Sequence, residues 1–392
     1  MIAPGATLGM LGGGQLGRLF TLAAQSMGYR VTVLDPGAES PAGSIADGHV
    51  RAGYLDPEGL RQLARLCAAA TTEFEKVPAE ALRRLAERCP VAPTVASVEV
   101  LQDRVRQREF LARHGLATVP CTVVRGPQDL AGAGGDLYPA IMKVSRFGYE
   151  GKDQYRVSGP DEAAYALAAM GCEPCVLEHQ VPIAREVAVV VARGADGQVA
   201  AFPVAENEHR HCVLELSTVP ARIPSELAGE AVAVATSVAE ALEYRGVLCV
   251  ELFVLEDGRL LVSDVSPRPH NSGHYTIDAC LTSQFEQQVR ALCGLPLGDT
   301  RLHAPAVMVN LLGDLWRRGE PDWGAVLAHP RARLHLYGKR EARPGRKMGH
   351  LTVLGDSVEG ARGEALEIRA RLRERAGLGA SGGDPAGASP AA

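Results

Sequence analysis

The sequence predicts a mixed architecture: a doubly wound α/β domain first, then an α+β region of long antiparallel strands, then a small β-rich piece. Three observations lead there. Strand and helix signals alternate through residues 1–95, strand-like runs dominate 96–296, and short strands with one charged helix fill 297–376.

In the first region Thr7–Leu11 is an apolar strand that runs into Gly12-Gly13-Gly14, and a helix pattern follows from Gln15 to Met27. The β-branched run Tyr29–Leu34 ends at Asp35. Two further units follow, HVRA with DPEGLRQLARLC and ATTEFE with PAEALRRLAER. Their helices open on Pro-, Asp- and Glu-rich turns, as helix starts do. Repeated strand–helix units build a parallel sheet.

In the second region a helix is expected over 96–114, stopping at Gly115. The runs ATVPCTVV, AIMKVS, CVLEHQ, EVAVVVA, VAAFPVAE and CVLELSTV read as strands, with helices near 225–243 and 282–293. VLCVELFVLEDGRLLVSDV reads as a hairpin turning at Glu256-Asp257-Gly258. In the third region AVMVNLLG, ARLHLYG and HLTVLG are short strands, and a helix runs from about Ser357 to Ala376. The tail over 377–392 is Gly, Ala, Ser and Pro, a composition that buries no core and is expected to be disordered.

Composition excludes several classes. The chain has 392 residues, 46% hydrophobic and 22% charged, and its net charge of -5 is small and spread out, which argues against a nucleic-acid or membrane-surface protein. No apolar run reaches the roughly 18–20 residues of a membrane span, and no secretory leader is evident. Nine scattered cysteines suit reduced thiols in a cytoplasmic protein. Cys172 and Cys175 form one C-x-x-C, read as a loop coincidence in the absence of a second pair.

The chemistry lies in five places. Gly12-Gly13-Gly14-Gln15-Leu16-Gly17 matches the dinucleotide fingerprint, with Asp35 after the next strand. Its physical content is a tight turn that aims N–H groups at an anion, which a pyrophosphate or a single phosphate satisfies. Lys143 ends a strand, and Gly148-Tyr149-Glu150-Gly151-Lys152-Asp153-Gln154 follows; such a loop folds over phosphates or is a solvated hairpin. Glu178-His179-Gln180-Val181 ends an apolar strand and Glu186 opens another, an edge able to meet an adenine and a ribose, or an ordinary strand end. Glu251 and Asp264 sit within apolar strands on the paired arms of the hairpin. Two buried carboxylates side by side call for a cation, and hard oxygen ligands suit magnesium; salt bridges to Arg or Lys are the alternative. Then Ser266-Pro267-Arg268-Pro269-His270-Asn271-Ser272-Gly273-His274, stiffened by two prolines, offers fixed donors to an anion.

Together these residues resemble the ATP-grasp superfamily and, within it, the 5-(carboxyamino)imidazole ribonucleotide synthases. The resemblance covers residues 5–355 in order and spacing, through GGGQLGR (12–18), EFEKVP (73–78), LQDR (101–104), GYEGKDQ (148–154), ENEH (206–209), PRPHNSGHYT (267–276) and YGKREARPGRKMGH (337–350). PRPHNSGH is the specific piece. The resemblance implies a biotin-carboxylase-like preATP-grasp domain over 1–95, an ATP-grasp domain over 96–296 and a C-terminal domain over 297–376. ATP contacts are implied for Arg104, Lys143, Gly148–Gln154, Glu178 to Val181, Glu186, His209, Ser263 and Asp264. Glu251 and Asp264 are implied to hold Mg2+, or Mn2+ in its place. The ribonucleotide is implied to meet Gln15, Leu16, Glu73, Arg268, His270, Asn271, Lys339 and Arg346, with Arg268, His270, Asn271 and Lys143 carrying the chemistry. A homodimer acting on small molecules, with neither nucleic acid nor membrane as partner, is implied as well.

The implied reaction phosphorylates bicarbonate with ATP and passes the carboxyl group to the exocyclic amine of aminoimidazole ribonucleotide. The family usually has Asn-Glu where this chain has Ser263-Asp264, and GYDGKGQ where Glu150 and Asp153 stand here. Three rivals are weighed. A sister enzyme that formylates glycinamide ribonucleotide usually has Glu in place of Gln15 and Asp-Thr in place of Asn271-Ser272. A nicotinamide oxidoreductase explains the glycines but not Lys143, Glu251 or Asp264. A non-catalytic nucleotide binder would be expected to have lost a metal carboxylate or the phosphate lysine.

Overall fold

The computed structural model describes residues 1–146 and 154–379. The loop positions Gly148 to Asp153 and most of the expected disordered tail lie outside the described residues.

The N-terminal region forms a parallel sheet, as the alternating pattern requires. Thr7–Leu11 (β1), Arg30–Leu34 (β2), Gly48–Val50 (β3) and Ala69–Thr72 (β4) lie in the order β3-β2-β1-β4. Both faces are covered. Leu60, Leu63, Leu82 and Leu85 from two helices pack on one side with Leu11 and Leu34. On the other side Leu19 and Phe20 meet Phe285, Val289 and Leu292 of the helix Gln284–Cys293. The N-terminal sheet is therefore fixed against the helix that follows the PRPHNSGH loop. Capping sets the helix starts: Asp56 accepts from Gly59 N at 2.6 Å with Pro57 next, and Ser283 accepts from Glu286 N at 3.1 Å.

A small antiparallel sheet follows, made of Cys121–Val124 (β5), Ala140–Val144 (β6), Gln154–Val157 (β7) and Cys175–His179 (β8), in the order β5-β8-β6-β7. The large sheet comprises Ile183–Arg193 (β9), Val199–Ala201 (β10), Ala205–Arg210 (β11), Val213–Val219 (β12), Gly246–Leu255 (β13), Leu260–Ser266 (β14), Ala306–Leu312 (β15), Ala332–Leu336 (β16) and Lys347–Leu354 (β17). Its order is β14-β13-β9-β11-β12-β15-β17-β16, with β10 on β9. The helix Ser225–Ala241 buries Ala231, Ala235 and Val238 against β9 and β13.

Two expectations for individual elements change. The helix expected over 96–114 is two helices, Val95–Leu101 and Arg104–Arg113. Asp103 breaks it: its carboxylate caps Arg106 N at 3.2 Å and also takes Ser145 Oγ at 2.7 Å and Arg146 Nε at 2.9 Å. The run VAAFPVAE is split at Phe202-Pro203, where a proline cannot donate to a ladder. The large sheet also crosses the boundary expected at 297, because β15 pairs with β12. Cys172 is exposed with φ 56°, Cys175 is buried in β8, and both are free thiols.

Candidate active site

A cleft of about 650 Å3 opens between the N-terminal sheet, the hairpin of β13 and β14, and the small sheet. Gln15, Leu16, Glu73, Arg104, Lys143, Gln154, Glu186, His209, Glu251, Ser263, Asp264, Arg268, His270 and Asn271 all line it. Residues spread over more than 250 positions of sequence thus converge on one space.

The hairpin supplies the carboxylates. Glu251 and Asp264 are directly opposed in the β13–β14 register, so both side chains lie on the face that looks into the cleft. Burial first, then the Asp264 charge, pushes the Glu251 carboxyl up to about 7. For Asp264, burial raises and Arg104, Arg108 and Lys143 lower, and the cations win, holding it at about 2. Arg104 Nη1 lies 3.5 Å from Asp264 Oδ2. The salt-bridge alternative is thus realised for Asp264, whereas Glu251 has no arginine or lysine among its described ion pairs. Glu251 lies 3.8 Å from His270 Nε2.

The loop after β14 holds the donors. His270 Nδ1 lies 2.7 Å from Ser272 Oγ and accepts from Ser272 N at 3.4 Å. Burial and then Arg268 hold this imidazole neutral, well below its usual range. With Nδ1 accepting, the ring proton belongs on Nε2, which faces the cleft. Asn271 is 5% exposed, and neither end of its amide has a hydrogen-bond partner among the described residues. Buried amides are rarely left so.

The small sheet contributes a buried charge cluster. Glu178 accepts from Arg108 Nη2 at 2.6 Å and Nε at 3.1 Å, and pairs with Lys143 Nζ at 2.5 Å. Arg108 is one turn into the helix that Asp103 restarts. The strand end offered as a free edge is not free at its start, because β8 lies between β5 and β6, His179 N donates to Pro120 O and Gln180 N to Pro139 O. Glu178, His179, Gln180 and Val181 are not among the residues that line this cleft. His209 Nδ1 lies 2.7 Å from Glu186 Oε2. Burial lowers the His209 pKa, but Glu186 outweighs it and the net direction is up.

The glycine loop differs from what the sequence suggested. Its anions come from the protein: Gly14 N and Leu16 N donate to Glu73 at 2.6 and 3.0 Å, and Gly13 N to Asp35 at 2.9 Å. A Cβ on Gly12, at φ 109°, would lie 2.7 Å from Glu73 Cβ. The glycines therefore make room for Glu73, and the dinucleotide reading loses its support. Lys339 and Arg346 do not line the cleft; Lys347 does. Lys339 Nζ instead reaches Gln15 Oε1, and Lys347 O at 2.6 Å, while Arg346 Nη1 donates to Glu341 O at 2.7 Å. Sequence reasoning missed Glu75, Arg108 and Lys347, although Glu75 lies in the quoted EFEKVP and Lys347 in the quoted basic segment.

Comparison with known proteins decides the family. Models for the ribonucleotide synthetase preATP-grasp domain, the ATP-grasp domain and the phosphoribosylaminoimidazole carboxylase C-terminal domain match residues 5–102, 109–285 and 306–364. The N5-carboxyaminoimidazole ribonucleotide synthase of Brucella melitensis biotype 1 is 45% identical over 354 residues, 90% of this chain and 97% of the relative. The chain belongs to the N5-carboxyaminoimidazole ribonucleotide synthase family. It has the ATP-grasp fold, and it is an ATP-dependent ligase of purine biosynthesis.

Solved structures of this synthase family superpose along nearly the whole chain. The Staphylococcus aureus N5-carboxyaminoimidazole synthetase complexed with ADP has a TM-score of 0.88 at 36% identity, covering 95% of this chain and 98% of that one. The Aspergillus clavatus synthase in complex with ADP and 5-aminoimidazole ribonucleotide has a TM-score of 0.86 at 32% identity, covering 94% and 99%. Among the described residues, no helix is long and apolar enough to cross a membrane.

Proposed function

We propose that this chain carboxylates the exocyclic amine of 5-aminoimidazole ribonucleotide, using ATP and bicarbonate, and that the cleft is where it does so. The observation that carries the assignment is the in-register pair Glu251 and Asp264, followed directly by Arg268, His270 and Asn271 on one wall. A bicarbonate oxygen attacks the γ-phosphorus of ATP and ADP leaves, giving carboxyphosphate. The amine then attacks the carboxyl carbon, or carbon dioxide released from it, and inorganic phosphate departs. Little covalent chemistry falls to the protein, so its work is positioning and charge stabilisation.

Lys143, at the end of β6, faces the phosphoryl groups and offsets their charge. Arg268, the Nε2–H of His270 and the Asn271 amide hold the bicarbonate and then the carboxyphosphate. Glu186 and His209 meet the nucleotide together with Arg104 and Ser263, and Glu178 acts through Lys143. Gln15, Leu16 and Glu73 face the ribonucleotide, with Lys339 joined to Gln15 and Arg346 on the same C-terminal loop. The phosphate-covering role assigned to Gly148–Asp153 rests on sequence resemblance, and Gln154 opens the strand beside it.

Glu251 and Asp264 fit a divalent cation: a carboxyl raised to about 7 beside a second carboxylate is what a bound cation would relieve. Mg2+ there, or Mn2+, would supply charge neutralisation at the phosphates. The units 1–95, 96–296 and 297–376 follow the three family matches in order, and we assign the protein to the cytoplasm as a homodimer. Product analysis tests the reading. Carboxylated ribonucleotide should form only with ATP, bicarbonate and aminoimidazole ribonucleotide together; turnover of formate with glycinamide ribonucleotide would assign the sister reaction instead.

A further inference from the structure

We propose that Glu75 is a positioning residue that sets the plane of the Arg268 guanidinium, and so the orientation in which bicarbonate is presented to ATP. This deepens the assignment of Arg268 as the bicarbonate-holding group and rests on it.

Glu75 and Arg268 lie 193 positions apart, on different sheets' loops, yet meet through two contacts. Glu75 Oε2 engages Arg268 Nε, and Oε1 accepts from Nη2 at 3.1 Å. This is the side edge of the guanidinium, and a two-point grip on it removes rotation of the plane. Arg268 Nη1 donates to Pro269 O at 3.2 Å, a third point in the same plane. Fixing the plane also fixes the direction of the end edge, Nη1 with Nη2, whose parallel donors match the geometry of a planar oxyanion such as bicarbonate.

Glu75 is itself held. Gln102 Nε2 donates to Glu75 O at 2.8 Å, just before the helix break that brings Arg104 to Asp264. Both Glu75 and Arg268 line the cleft. Burial raises the Glu75 pKa, but Arg268 outweighs it and keeps the carboxylate ionised. The pair is thus a charged clamp between the N-terminal domain and the loop after β14. Proper presentation of bicarbonate depends on the N-terminal domain being docked.

The test is a kinetic double-mutant cycle on the full chain with Glu75→Gln, Glu75→Asp, Arg268→Ala and the Glu75→Gln/Arg268→Ala double variant. Glutamine keeps the size but has one acceptor oxygen, so the guanidinium plane loosens. A misdirected reacting group costs about tenfold to a hundredfold. Glu75→Gln should raise the Michaelis constant for bicarbonate by about tenfold or more and release more ADP without carboxylated product, with the constant for ATP unchanged. Glu75→Asp, which keeps both oxygens, should recover part of the loss. In the Arg268→Ala background the Glu75 change should add less than about twofold, because it acts through Arg268. Equal shifts for ATP and bicarbonate, a full additional loss in the double variant, or lost ADP binding by calorimetry would each overturn the proposal. If Arg268→Ala alone leaves the bicarbonate constant unmoved, the assignment of Arg268 fails and this inference with it. If Arg268→Ala raises that constant and Glu75→Gln does not, only the inference fails.

Discussion

Replacing Glu251 by Gln should stabilise the metal-free protein while abolishing turnover, and both effects have one cause. Glu251 faces Asp264 in register, and burial followed by that charge moves its carboxyl from 4.5 to about 7. A carboxyl raised in the folded state takes up a proton on folding. Stability is therefore lost as pH climbs from 4.5 through about 7, the reverse of an ion-paired acid. The full interval corresponds to about 3 kcal/mol. The side chain keeps 22% of its surface exposed, and screening by solvent in the cleft reduces the penalty to about 1–3 kcal/mol at alkaline pH. Glutamine carries no charge and escapes it. Thermal unfolding in EDTA should place the variant level with wild type near about pH 4 and a few degrees above it near about pH 8.5. Adding Mg2+ and ATP should reverse the order, because ligand binding stabilises only the protein that binds. A variant that is less stable than wild type at about pH 8.5 in EDTA, or that keeps wild-type turnover, would refute the reasoning.

The partner carboxylate gives a second prediction: Asp264→Asn should abolish turnover and Asp264→Glu should retain it, measured as ADP release across a magnesium titration. Lys339→Ala should raise the Michaelis constant for the ribonucleotide by an amount worth roughly 1.5–3 kcal/mol while the ATP constant stays put; since Lys339 Nζ reaches the cleft-lining Gln15 whereas Arg346 donates to Glu341 O, Arg346→Ala should cost less than Lys339→Ala. The His209–Glu186 pair makes its full contribution below about pH 6.5, the unfolded histidine's value, and loses it as pH rises through the raised folded value. His209→Ala should flatten that part of the stability profile in a pH series of melts; an unchanged slope would show that the pair does not titrate there.

Local signals were legible and long-range ones were not. The hairpin of β13 and β14 could be read from its turn, Glu256-Asp257-Gly258, but a register shift between Glu251 and Leu252, which the local pattern does not announce, is what places Glu251 opposite Asp264 rather than Ser263. The parallel N-terminal sheet followed from alternating strand and helix patterns in the same way. The glycine loop was read as awaiting an external anion because Glu73 lies 59 positions from Gly14 and nothing in the local pattern brings it back. Nothing in the local pattern marks Arg108, and only the fold puts it on Glu178, 70 positions on. The break at Asp103 was hidden for the same reason, since its carboxylate is recruited by Ser145 and Arg146 from another element. Arg346 came from the family resemblance, and nothing in the run of charges marked Lys347, at the start of β17, as the one that lines the cleft.

The central claim is that this cleft activates bicarbonate by phosphorylation and delivers its carbon to the ribonucleotide amine. Turnover with bicarbonate labelled by 13C and 18O tests it in one experiment, because the oxygen that attacks phosphorus stays with the phosphate. Mass spectrometry should find 13C in the carboxylated ribonucleotide and one 18O in each inorganic phosphate. Labelled product accompanied by unlabelled phosphate would contradict the carboxyphosphate route.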